Sequence, residues 1–236
     1  MSLSLPELLP ARITVRLAPA EVTAGAKRIA CDPGFGAERW HGALEALRSM
    51  AFGRARVTVV LSSHFVRYAI VPWSDALGTP AEEDAYVRHH FAKVHGERAK
   101  GWLFRSSEGP RGAPRLASAI DRALLDAIKA CFPKGGKARL ISVQPQLMCK
   151  FNEWRSTIPP QGAWVVLAEP DRACIALHAE GSWRSVQNGK GDWRALLDRE
   201  RHRIDGELPS LVLVAGAAAP TSDSQWQFRE MSAPAG

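Results

Sequence analysis

Between Ala163 and Val214 the chain spells out one supersecondary unit with no interruption, and this stretch constrains the fold more than any other. Ala163 to Ala168, Ala173 to His178 and Trp183 to Val186 read as three closely spaced strands. They are separated only by the turn formers Glu169-Pro170-Asp171 and Ala179-Glu180-Gly181. Runs so closely joined pair as an antiparallel meander. Gly191-Asp192 then opens a segment in which Trp193, Leu196, Leu197 and Ile204 recur at helical spacing, with Asp192 placed to cap the free amides. Leu211-Val212-Leu213-Val214 is wholly apolar, as a strand covered on both faces should be.

A weaker copy of the same order precedes it. Arg12 to Leu17 alternates at period two, short strands are expected at Glu21–Ala24 and Lys27–Cys31, and Trp40, Leu44 and Leu47 share one side of a helix over 37–50. Val57 to Leu61 follows as a β-branched strand. The β-β-β-α-β order is that of the ribonuclease H-like fold, and two such cores in tandem resemble the actin-like superfamily. The expected fold class is therefore α/β, actin-like, with an α+β insertion in the first half. The expected boundaries are a first lobe over 1–156 with its insertion at about 65–138, a second lobe over 163–216, and a flexible tail over 217–236, where composition turns to Ala, Pro and Ser. Ile158-Pro159-Pro160-Gln161-Gly162 breaks the chain between the lobes.

Inside the insertion, Phe65 to Val71 reads as a strand and 81–95 as a helix with an acidic start and Val87, Phe91 and Val94 on one face. Trp102-Leu103-Phe104 and Arg115 to Ile120 read as paired strands, followed by a helix carrying Leu124, Leu125, Ile128 and Phe132. Arg139 to Val143 and Leu147 to Trp154 complete the first half as strand and helix.

The stretch from Val57-Thr58-Val59-Val60-Leu61 to Val71-Pro72-Trp73 with its acidic helix resembles the actin-like platform proteins of type IV pili and type II secretion, the PilM family and the cytoplasmic domain of GspL. Pro114 to Asp121 and Leu140 to Pro145 are similar to their strand and helix pairs. The resemblance implies a non-catalytic cytoplasmic scaffold that docks a membrane partner's tail or a motor component. It also implies that elements around the first lobe receive a peptide. On that basis the partner-binding residues are expected to be Arg67, Tyr68, Trp73, Tyr86, Arg88 and His89, with the edge of the Phe65–Val71 strand open to an added strand.

Composition narrows the alternatives. No apolar run reaches the ~18 residues of a membrane span, and Met1 to Pro6 lacks the basic and apolar regions of a signal peptide, so a cytoplasmic location is expected. A net charge of +7 favours anionic partners and is compatible with peripheral attachment to the inner membrane. The cations are dispersed arginines without an aromatic RNA-binding signature or a helix-turn-helix pattern, so nucleic acid is not an expected partner. A module for an anionic polymer stays an alternative. Cys31, Cys131, Cys149 and Cys174 lack CxxC spacing and read as buried thiols.

No catalytic residue, metal ligand or cofactor is expected. An actin-like ATPase needs two acidic, glycine-containing hairpins around the phosphates. The corresponding turns here, Leu17 to Glu21 and Ala168 to Asp171, carry Pro19 and Pro170, each of which removes an amide donor. A degenerate nucleotide-binding enzyme is the alternative reading, with Val214-Ala215-Gly216-Ala217 as its faint adenosine loop. Asp32-Pro33-Gly34-Phe35-Gly36 could form an anion nest but reads first as an ordinary turn and helix entry. His89, His90 and His95 do not form an i, i+4 ligand pair and read as solvated, and Ser62-Ser63-His64 lacks the glycines of a nucleophile elbow. Trp40, Trp164 and Trp193 fit a core, whereas Trp73 and Trp102 fall at element edges suited to an interface.

Overall fold

In a computed structural model that describes residues 10–34 and 39–231, the alternating segments form two five-stranded sheets of identical plan. In the first, β1 (Ala11–Leu17), β2 (Glu21–Ala24) and β3 (Lys27–Ala30) make the antiparallel meander. Helix α1 (His41–Ser49) crosses to β4 (Ala55–Leu61), which runs parallel to β1. Beyond it β8 (Ala138–Pro145) adds a further parallel strand, giving the order β3-β2-β1-β4-β8. Ala43, Leu44, Ala46 and Leu47 form the buried stripe of α1, and Val15, Leu17, Val57, Val59 and Leu61 are buried in β1 and β4.

The second sheet repeats this in β9 (Ala163–Glu169), β10 (Arg172–Ala179), β11 (Ser182–Lys190) and β12 (Leu211–Ala215). Strand β12 lies parallel to β9, and β13 (Gln227–Glu230) parallel to β12. The order is β11-β10-β9-β12-β13. Helix α5 (Trp193–Arg201) is capped by Asp192, whose carboxylate accepts from the amides of Arg194 and Ala195. It buries Leu196 and Leu197 against Val166, Ile175, Val212 and Val214. The helix stops at Arg201, short of Ile204, yet Ile204 still packs on this core.

The expected flexible tail is corrected here. Trp226 is only 4% exposed, meets Trp164 edge-on with 6.1 Å between ring centroids, and donates its Nε1–H to the Asp198 carboxylate at 3.0 Å. That anchorage carries β13 into the sheet. Residues 217–225 contribute small or polar side chains and one proline, Pro220, because they only have to connect, and their composition hides the strand that follows.

A third, three-stranded sheet has the order β5-β7-β6, from β5 (Val66–Val71), β6 (Trp102–Ser106) and β7 (Arg115–Asp121). Helix α2 (Pro80–His95) covers it, with Val87 and Phe91 packed against Val71, Phe104, Ala117 and Ala119. Helices α3 (Arg122–Ala130) and α4 (Gln146–Trp154) flank β8 in sequence. By contacts the chain divides into two compact units, one from residues 1–65 with 121–149, the other from 66–120 with 150–236. The small sheet is inserted in the chain between β4 and β8 of the first sheet, as expected, while by contacts it groups with the C-terminal sheet.

Candidate functional site: an amphipathic cleft at Trp73

Helix α2 begins with a complete capping box. The Thr79 hydroxyl accepts from the Glu82 amide, and the Glu82 carboxylate accepts from the Thr79 and Gly78 amides at 2.9 Å each. The Gly78 amide first, then the Thr79 hydroxyl and amide, hold the Glu82 carboxyl below the usual range. With Pro80 at its first position, this end of the helix has a fixed start. It therefore fixes the loop that brings Trp73 back over the end of β5.

There Trp73, Leu77, Val71 and Tyr86 line a shallow, open cleft with a cavity volume of only about 30 Å³, together with Glu83 and Arg115. Arg115 stacks its guanidinium over the Trp73 ring at 5.1 Å and donates to the Glu83 carboxylate at 2.8 Å. The indole Nε1–H is turned outward to Asp75 at 3.0 Å. The result is an apolar floor with a paired charge at the lip. It suits the seating of an apolar side chain from an extended segment, with polar backbone held at the rim.

Of the six expected partner residues, the structure brings Trp73 and Tyr86 together in this cleft. Arg88 lies two residues along α2, about 200° round the helix from Tyr86, and covers the Phe104 ring at 5.4 Å. His89 is exposed on the helix's outer side. Arg67 and Tyr68 are neighbours in β5 and so face opposite sides of the sheet. Arg67 lies close enough to His95 to lower its pKa, second to the effect of burial. The six do not share one surface, because α2 and β5 each divide their neighbours between faces. Glu83 and Arg115 were not singled out as partner residues. The acidic start of α2 signalled the former, but the Arg115 contact depends on a pairing 32 positions away.

The open edge expected at β5 is also corrected. One side of β5 pairs with β7, and the other lies along β11, whose Asn188 side-chain amide donates to the Val66 carbonyl at 2.9 Å. A peptide strand adding there would have to displace β11.

Of the two turns expected to be unsuited to phosphate, the first is tied to the chain beyond β3. In the β1–β2 turn the Pro19 carbonyl receives the Cys31 thiol at 3.3 Å, and the Ala20 carbonyl accepts the Cys31 amide at 2.9 Å. Burial first, then the charges of Glu21 and Asp32, push that thiol's pKa up. Gly216 has a structural explanation. Its φ is +84°, and a Cβ there would lie 2.0 Å from the Ala168 carbonyl oxygen, so only glycine lets β12 leave the sheet this way. Of the Asp32–Gly36 segment, read as an ordinary turn, Phe35 and Gly36 lie outside the described residues. Asp32 caps its own Gly34 amide at 2.9 Å, and its backbone crowds Gly42, where a Cβ would be 2.2 Å from the Asp32 oxygen.

His95 is not solvated as expected. It packs edge-on to Trp102 at 4.9 Å and stacks on Phe91. None of the four cysteines is in a disulfide; Cys174 is buried and the other three are half-buried. No helix is long and apolar enough to cross a membrane among the described residues.

Twin 3-2-1-4-5 sheets, each a meander with parallel strands added beyond its first strand, define an actin-like fold. Solved structures agree. The chain is similar to the cytoplasmic domain of EpsL, an inner-membrane component of the type II secretion system of Vibrio cholerae, with 18% identity over 94% of this chain and 90% of that one and a TM-score of 0.59. A Bacteroides thetaiotaomicron protein of actin-like ATPase fold and unknown function aligns at 10% identity over 92% and 86%, TM-score 0.58. A PilM–PilN type IV pilus biogenesis complex aligns at 13% identity over 84% and 67%, TM-score 0.54. No family model and no curated protein matches the sequence.

Proposed function

We propose that this chain is a non-catalytic cytoplasmic scaffold of a pilus or secretion assembly, and that the Trp73 cleft docks the cytoplasmic tail of an inner-membrane protein. The observation that carries the proposal is the cleft, an apolar floor under the Trp73–Arg115–Glu83 lip on an actin-like fold. Such a site offers features of an interface hot spot, a large aromatic and an arginine at a small apolar cleft that a partner would desolvate. The similar EpsL domain and PilM–PilN complex support the setting. Pro19 and Pro170 in the two hairpin turns favour holding over hydrolysis, since phosphate binding there relies on successive backbone amides.

A photo-activated cross-linker placed at Ser74, which lines the cleft beside Trp73 and leaves the indole in place, tests the reading in host cells. The expected adduct is an inner-membrane protein of a pilus or secretion assembly, lost when the linker sits at exposed Arg98 instead. Identical adducts from both positions, or adducts with soluble enzymes alone, would count against it.

A further inference from the structure

Three arginines stand side by side across the first sheet. Arg12 of β1 is in register with Arg56 of β4, and Arg56 with Arg139 of β8. In-register positions on adjacent strands project from one face, and strands are about 4.8 Å apart, so three guanidinium stems emerge within about 10 Å. All three are exposed. Arg54 and Lys137 lie two positions before Arg56 and Arg139 and line one open recess with them, with only Pro10 and Ala55 between. Among the described residues, no carboxylate comes within ion-pair distance of any of the five.

Like charges directly opposite one another weaken a sheet, so this row works against folding unless something outside the chain neutralises it. The loops at the same end add a second feature. Phe52, two residues before Arg54, meets Phe132 with ring centroids 5.6 Å apart, and exposed Lys134 follows. A recess walled by cationic stems offers no apolar pockets to read a peptide's side chains. Cations beside half-buried aromatic rings suit the headgroup layer of a bilayer.

We infer that this end of the first sheet, built on Arg12, Arg56 and Arg139, binds the surface of a membrane containing anionic phospholipid. Guanidinium groups take phosphate oxygens in forked hydrogen bonds, which an open row presents to several headgroups at once. The inference does not depend on the Trp73 cleft, and Trp73→Ala should bind vesicles as the wild type does.

Co-sedimentation of the full chain with vesicles tests it. Wild type should bind phosphatidylglycerol–phosphatidylethanolamine vesicles and ignore pure phosphatidylcholine, with binding falling as salt rises. Each lost charge should weaken binding about fivefold, equivalent to about 1 kcal/mol, so the triple variant Arg12→Ala, Arg56→Ala, Arg139→Ala should lose about a hundredfold. A control removing Arg98, Lys100 and Arg111 should bind close to wild type. Circular dichroism should show the triple variant at least as stable as wild type, and if it does not fold, Arg56→Gln alone should give the fivefold loss. Equal binding by triple variant and wild type, equal losses in triple variant and control, or binding to phosphatidylcholine would overturn the inference. So would calorimetric binding of sodium pyrophosphate that needs the three arginines in a protein that ignores vesicles, since that would assign the row to a soluble anion.

Discussion

Replacing Trp226 with alanine should destabilise the C-terminal unit severely, although the residue sits in a stretch whose composition suggests a loose tail. The indole is buried against Trp164, lies 6.4 Å from the Phe228 ring, and carries the Arg201 guanidinium on its face at 4.9 Å. Removing a buried Trp side chain costs about 3–5 kcal/mol through lost transfer free energy and the cavity left behind. The hydrogen bond to Asp198 adds about 1 kcal/mol, since its acceptor is exposed and can turn to water. Trp226→Phe, which keeps most of the ring volume, should recover all but about 1–2 kcal/mol. Urea unfolding followed by far-ultraviolet circular dichroism measures this, with the two units analysed as separate transitions if the curve is biphasic. A loss under about 1 kcal/mol for the alanine variant would refute the placement of β13 in the sheet and restore the flexible tail.

Three further outcomes follow from local geometry. Gly216→Ala should cost at least about 1–3 kcal/mol, because its φ is unfavourable and the new methyl would meet the Ala168 oxygen; an unchanged urea midpoint would contradict the close approach. Thr79→Ala removes half of the α2 capping box and should cost about 1 kcal/mol, read as faster hydrogen exchange in the first turn of that helix. His178, packed between Phe151 and Trp183, has its pKa lowered by burial from 6.5. The unfolded chain therefore takes up this proton first. Stability should be full above about pH 6.5 and should fall as pH drops from there through the folded value, a dependence that His178→Gln should flatten relative to wild type.

Much of the fold was legible because its signals are local. The runs from Ala163 to Val186 pair through short turns, and β12 is apolar throughout because β9 and β13 flank it and α5 covers a face. What escaped was set by distant partners. The four residues of β13 turn only Phe228 partly inward, too little periodicity to mark a strand, and its existence rests on Trp226 reaching Trp164. The edge of β5 looked open because nothing near it in sequence predicts Asn188, 122 positions away. Of the cleft, Trp73 and Tyr86 were readable as large amphipathic rings at element edges. Their joining to Arg115 required the β5–β7 register, in which Val71 pairs with Arg115. The arginine row was equally hidden, since dispersed cations become a patch only when three parallel strands align.

The central claim, that the Trp73 cleft holds a membrane protein's tail, is tested most directly by calorimetry. The probe is a synthetic peptide of the cytoplasmic tail cross-linked at position 74, titrated into wild type and Trp73→Ala. Trp73 is half-exposed, and its stacking with Arg115 is worth about 0.5–1 kcal/mol, so the substitution should leave the urea midpoint nearly unchanged. The account predicts at least about thirtyfold weaker binding, a loss of about 2 kcal/mol. Equal affinity of the two proteins for the peptide would contradict it.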